Sequence, residues 1–429
     1  MKHYPEPDIC YNEFSLMQNL SIFLLQTGNI MSRKNLKQRK CPKSIILTCI
    51  ILLYAFTLDA QPRKQKEALP VYYPPYGQWE HRQPEIMGVD TSLLNMAVTS
   101  AVENEIDYPK DLRIPILQAY GREPGFRIMG PVIDRGGPAG IVVVKGYIVA
   151  SWGDIEKPDL TFSATKSYLS TVAGLAWDEG LFNVTDRVSQ YVTDGTFSGD
   201  HNLKITWEHL LNQTSDWSGT LFEMADWADR PPRTGTPEEW QRRELKEPGS
   251  NYEYNDVRVN LLAYSLLQLM RKPLPVILKE RIMDPIDAST TWRWNGYDNS
   301  WVNIDGQMIQ SVSGGAHFGG GLVINTLDHA RFGLLLARNG IWNGRQLISR
   351  EWISLATKPS PANINYGYMW WLTGGETVIE GAGKNIFYAS GMGGNYVVID
   401  SERDIVIVLR WVNPSKFREL TGMIMKAVN

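Results

Sequence analysis

The sequence predicts a mixed α/β (α+β) fold: an antiparallel sheet formed by both chain ends, flanked by helices, with a mainly helical lobe inserted between them. Three observations carry this. Near the first third, Ile141-Val142-Val143-Val144, a Lys145-Gly146 turn and Tyr147-Ile148-Val149-Ala150 read as a hairpin over residues 139–152. Near the end, residues 396–400 and 405–411 are two further apolar strands around the Ser401-Glu402-Arg403-Asp404 turn. Between them, from about residue 185 to 297, strand character fades; helical spacing, Pro231-Pro232 and several tryptophans replace it.

The remaining elements follow in order. Arg33, Lys34, Lys37, Arg39, Lys40 and Lys43 form a basic run ahead of an apolar stretch over residues 45–58, with Ala60 as a small residue for cleavage. That layout is a secretory leader over residues 1–60, so the expectation is an exported, periplasmic or extracellular protein. Met31 directly precedes the basic run, which places residues 1–30 upstream of an alternative start. An uncleaved leader acting as an anchor is the rival, although the apolar run is short for a permanent span. Cys10, Cys41 and Cys49 all lie in this leader, so the mature chain is expected to hold no disulfide and no thiolate site.

Residues 61–90, rich in Pro, Tyr and Gln, read as an N-terminal arm, and the folded domain is expected over residues 91–429. Residues 91–105 have helical spacing behind an Asp90 or Thr91 cap. Leu169, Val172, Ala173, Leu175 and Ala176 recur at helical spacing from Ser163 until Gly180 ends the run. Residues 322–325 read as a short strand, 326–339 as a helix and 416–428 as a closing helix. The net charge of −3 leaves no basic surface for nucleic acid.

The chemistry begins at Ser163-Ala164-Thr165-Lys166, the one Ser-x-x-Lys in the chain, opening its most apolar helix. Three residues of spacing put both side chains on one face, one turn apart. A serine hydroxyl is a weak nucleophile and needs a base beside it. A lysine desolvated at a buried helix start can lose its charge and act as that base. Without that setting, the same motif is only a capping serine and a surface lysine.

The second element is Pro248-Gly249-Ser250-Asn251-Tyr252-Glu253-Tyr254-Asn255-Asp256. Here the sequence resembles the serine β-lactamase and penicillin-binding protein superfamily, in its class C-like esterase and peptidase branch. The resemblance implies that Tyr254 shares proton transfer with Lys166. It also implies an asparagine where Asp256 stands, leaving Asn255 as the alternative amide by a shift of one. A third family element, a strand with Lys-Thr-Gly or His-x-Gly, corresponds to Tyr388-Ala389-Ser390-Gly391-Met392-Gly393-Gly394-Asn395. Gly391 is kept, but Ala389 stands where the basic residue would be. A cation there would grip a substrate carboxylate. Its absence favours esters or amides lacking that group, or a cation from elsewhere. The branch containing 6-aminohexanoate-dimer hydrolases is similar in this respect.

Further resemblance runs through Gly137-Pro138-Ala139-Gly140, Ile205-Thr206-Trp207-Glu208-His209-Leu210-Leu211, Gly319-Gly320-Gly321-Leu322 and Asp328-His329-Ala330-Arg331-Phe332. It implies a β-lactamase/transpeptidase-like fold and an oxyanion hole from the backbone N–H groups of Ser163 and Met392, with Gly393 beside them. His317 is expected either to face the cleft or to be structural. The six histidines show no metal spacing, and no Gly-x-Ser-x-Gly elbow exists. No metal or cofactor is implied. The expected activity is a serine hydrolase acting on a small-molecule or peptide-like ester or amide. A cell-wall D-amino-acid peptidase or penicillin-binding protein, and a catalytically weak sensor on the same fold, are the alternatives.

Overall fold

The computed structural model describes residues 71–375, 379–383 and 385–428, so the leader and its cysteines lie outside the described residues. A six-stranded antiparallel sheet organises the domain. Its strand order is Trp371–Leu372, Phe387–Gly391, Asn395–Asp400, Ile405–Arg410, Ala139–Val144, Tyr147–Trp152. The two chain ends meet at its centre, where Ala139 pairs with Arg410 and Val144 with Ile405. Lys145 and Gly146 both take positive φ, as a tight two-residue hairpin requires.

Both faces of the sheet are covered, which explains its unbroken apolar runs. Successive strand side chains point to opposite faces. Ile141, Val143, Val406 and Val408 join the core that includes Leu169, Val172 and Phe332. Val142, Val144, Ile405 and Ile407 pack instead with Leu94, Ala97, Leu420 and Ile424. Those last four come from the Thr91–Glu103 and Phe417–Ala427 helices. Burying each such side chain fully contributes about 1.5–3 kcal/mol.

The arm is tied down where it is described. Tyr72 stacks on Tyr147 at 4.5 Å, and Arg331 donates to the carbonyls of Pro74 and Pro75 at 2.5 and 2.7 Å. Sheet-edge strand Tyr147–Trp152 is thereby shielded, with His81 bridging to Ile148.

The inserted lobe departs from expectation at its end. Arg293–Ile304 is a twelve-residue strand, paired with Gln307–Val312 and with Gly321–Ile324 in a second, four-stranded sheet. Its period of two is broken by an irregularity between Gly296 and Trp301. There Ser300 Oγ turns back to the backbone of Tyr297, which hides the strand in the sequence. The lobe's main helix, Asp256–Met270, is buried on every side from Asp256 to Leu267. Among the described residues no single helix is long and apolar enough to cross a membrane; one sharply bent pair, Asp256–Met270 with Leu274–Met283, passes by length and composition.

Candidate active site

Ser163 does not open the α-helix itself. It sits in a 3-10 turn, Phe162–Ala164, and the helix proper is Thr165–Asp178. Phe162 has φ 48, a left-handed value a bulky residue rarely takes. Its ring is wedged edge-on against Trp411, and Thr165 Oγ1 donates to its carbonyl at 2.6 Å. The turn lifts Ser163 to a half-buried position while the rest of the motif is interior.

One turn on, Lys166 Nζ donates to Ser163 Oγ at 2.9 Å and to Asp256 Oδ1 at 2.6 Å. Lys166 is 2 % exposed and Asp256 1 %. Asp256 is the first residue of its helix, and its other carboxylate oxygen accepts from Arg230 Nη2 at 2.6 Å. Tyr254 lies against the ammonium, its ring centroid 4.7 Å from Nζ, and stacks on Trp371. Gly315 closes the far side. A Cβ there would stand 1.9 Å from Asp256 Oδ1 and 2.3 Å from Lys166 Nζ.

This geometry corrects the expected charge of the lysine. Burial does work against the ammonium, but Asp256 first and Tyr254 second outweigh it and hold Lys166 above the ordinary lysine range. Burial likewise opposes the Asp256 carboxylate, yet Lys166, Arg230 and His317 hold it well below the usual range. Lys166 therefore donates to Ser163 rather than waiting as a free amine.

Behind the pair lies a wider cluster. His317 Nε2 is 2.6 Å from Glu123 Oε2 and 3.7 Å from Asp229 Oδ1; its Nδ1 is 3.5 Å from Asp256 Oδ2. Burial resists protonation, but Asp229, Asp256 and Glu123 together push the imidazole up to about 9. Glu123, Asp229 and His317 offer ligand atoms within 4.8 Å of one another. Their oxygens are already taken up by hydrogen bonds: Glu123 also accepts from the Arg230 backbone N–H, and Asp229 from Arg230 Nη1 and the Asp256 N–H. The cluster reads as an ion-paired network.

The sequence model of the β-lactamase family matches residues 160–416. The chain belongs to the β-lactamase family of hydrolases. Its sequence is 23% identical over 278 residues to the 6-aminohexanoate-dimer hydrolase of Paenarthrobacter ureafaciens, covering 59% of this chain and 67% of that one. A protein from Bacillus anthracis described as a 6-aminohexanoate-dimer hydrolase shares the fold, with TM-score 0.51 and 15% identity over 83% of this chain and 89% of that one. A protein from Bacteroides dorei described as a β-lactamase superposes with TM-score 0.51 and 16% identity, over 74% and 98%. The expected β-lactamase/transpeptidase-like fold is the fold observed.

Within this β-lactamase-family chain, the third strand reaches the nucleophile through Gly391. Any Cβ there would lie 2.0 Å from the Thr161 carbonyl oxygen and 3.2 Å from the Ala164 nitrogen. Met392 begins the turn to the next strand, and its carbonyl accepts from Asn395 Nδ2 at 2.7 Å. Asn395 is held in turn by Arg410, at 2.7 Å. Gly393 was expected beside the oxyanion site. It has φ 81, with its Cα facing the Trp411 ring, so its part is the turn. Ala389 is buried in the sheet, paired with Val397, and supplies no polar group.

Two other expected contacts are redirected. Asn255 caps the Asp256–Met270 helix, accepting from the Arg258 N–H and donating to the Asp226 carbonyl, so its amide is spent away from Lys166. His317 is 1 % exposed and faces Glu123, Asp229 and Asp256; it belongs to the ion network. On the opposite side of the turn, His329 bridges Thr161 Oγ1 and the Tyr168 hydroxyl, both at 2.9 Å. Arg230, Asp229, Glu123, Gly315 and Tyr120 escaped sequence reasoning. Only Gly315, in the Ser313-Gly314-Gly315-Ala316 run, left a local trace.

Proposed function

We propose that the protein cleaves an ester or amide through an acyl-enzyme on Ser163. The observation that carries this reading is the Ser163–Lys166–Asp256 chain of 2.9 and 2.6 Å contacts beside Tyr254. Ser163 Oγ forms a bond to the substrate carbonyl carbon, and the carbonyl oxygen becomes an oxyanion between the N–H groups of Ser163 and Met392. The Ser163 proton goes to the Tyr254 oxygen, which acts as the base beside the Lys166 ammonium. Collapse breaks the bond to the leaving alcohol or amine, which takes that proton. Water then adds to the acyl carbon and gives its proton to the Tyr254 oxygen; collapse breaks the acyl–Oγ bond, that proton returns to Ser163 Oγ, and the acid is released. Ala389 gives the third strand no grip on a substrate carboxylate, which favours esters and amides lacking one.

The test is hydrolysis of p-nitrophenyl acetate and butyrate by the protein beside Ser163→Ala, with intact mass spectrometry. Turnover lost in the variant, with an acyl adduct on wild-type Ser163, is the expected result. A lasting adduct without turnover supports a sensor, a reading that the firmly held Lys166 ammonium favours. No adduct with these esters, a penicillin or an amide overturns the nucleophile assignment.

A further inference from the structure

We infer that Arg230 is a positioning residue of this reaction: it takes one oxygen of Asp256 so that Lys166 can take the other, and through that pair and the face of Tyr254 it sets how Lys166 and Tyr254 share a proton. The inference rests on the acyl-enzyme reading and goes beyond it, because the family pattern calls for a neutral amide where Asp256 stands.

Asp256 is claimed by two cations at once, although Lys166 alone would neutralise it and Asp229 alone would neutralise Arg230. Here the second cation is built in. The Arg230 fork spans two acids, Nη1 to Asp229 Oδ1 and Nη2 to Asp256 Oδ2, each at 2.6 Å. Such two-point binding is what a planar guanidinium offers and an ammonium does not. The same group lies 5.1 Å from the Tyr254 ring centroid and 5.4 Å from that of Tyr120. Lys166 approaches Tyr254 at 4.7 Å, so two cations flank one phenol. Asp256 draws on both of these cations in competition with the ring.

The groups facing this arrangement come from every element around it. They are Lys166 from the nucleophile helix, Asp229 and Arg230 from the lobe, Glu123 and His317 behind, and the phenols Tyr120, Tyr252, Tyr254, Tyr297 and Tyr366. Among the described basic groups, Arg230 alone contacts Asp229, Asp256 and the Tyr254 ring together, and its side chain is 30 % exposed. It is thus the member a substitution can change with least disturbance to the core.

The experiment is the pH profile of kcat/KM for p-nitrophenyl acetate in four variants, with melting temperatures recorded beside it. Arg230→Gln removes a cation and should move the acidic limb up by about one pH unit. Asp256→Asn removes an anion and should move it down by a similar amount. The double variant should return near the wild-type limb, and Arg230→Lys, keeping the charge but losing the fork, should stay near it with lower kcat. A merely structural role would lower melting temperature without moving the limbs in opposite senses. Limbs that stay put, or move together, while wild-type Ser163 still forms an adduct overturn this inference alone. Absence of that adduct overturns the acyl-enzyme reading and this inference with it. Should Arg230→Gln fail to fold, a shifted limb in Arg230→Lys overturns the proposal.

Discussion

Two histidines, His317 and His329, flank the nucleophile turn, each 1 % exposed, yet the protein drives them to opposite charge states. His317 faces Glu123, Asp229 and Asp256 and is pushed up to about 9 against the pull of burial. His329 faces two hydroxyls, with Arg410 nearby; burial first and that guanidinium second push it well below the ordinary histidine range. Desolvation acts with the same sign on both. What differs is whether the pocket supplies carboxylates. One side of Ser163 is therefore an ionic block that controls proton positions. The other is a neutral bridge that holds the backbone of the turn.

The sharpest way to break the ionic side is Gly315→Ala. Its new methyl would occupy the space between Asp256 and Lys166 and push the pair apart. A fall in kcat/KM on the order of 1,000-fold is expected for ester hydrolysis, about 4 kcal/mol of lost transition-state stabilisation. Little change would mean that the pair takes no part in the reaction.

Next in size is a difference in the pH dependence of stability. His317 has a folded pKa above its unfolded one, so its contribution is complete below about pH 6.5 and lost as pH rises through about 9. Urea denaturation should show the wild type losing ~3 kcal/mol across that window through this group. His317→Gln should flatten that alkaline decline. An unchanged decline in the variant would show that the imidazole is not the group responsible.

The smallest effect belongs to the neutral side. His329 has a lowered folded pKa, so its contribution is present above about pH 6.5 and fades as pH falls. His329→Phe leaves the Thr161 and Tyr168 hydroxyls without their partner, at a cost of about 2 kcal/mol at pH 7. It should also remove the acid-side decline while leaving the alkaline one intact. Loss of both declines would mean that the two blocks are not independent.

The sequence made one side of this comparison easier to read than the other. Ser163 and Lys166 announce themselves because a spacing of three on a helix is local, and the central strands do so because their Val and Ile runs are dense. Tyr254 came through resemblance. Whether Lys166 is a free amine or an ammonium was not legible locally, since it depends on Asp256, ninety residues away along the chain. Glu123, the adjacent Asp229 and Arg230, and His317 arrive from three separate segments, and no spacing between those segments encodes their meeting. Asn255 was offered as the family amide by a shift of one, but its side chain is the helix cap, and capping and binding use the same residue types. The strand at Arg293–Ile304 was missed because one irregularity breaks its alternation.

The pairing of Ala139 with Arg410 also governs when the site can exist during synthesis. The strand that supports the nucleophile turn from the N-terminal side waits, through the whole translation of the lobe, for its partner at Ile405–Arg410. Arg410, which donates to the carbonyls of Leu160 and Ile324, arrives on that final strand. Closing so long a loop costs chain entropy that only the finished sheet returns. A nascent chain thus carries Ser163 and Lys166 long before it carries the strand that completes their framework.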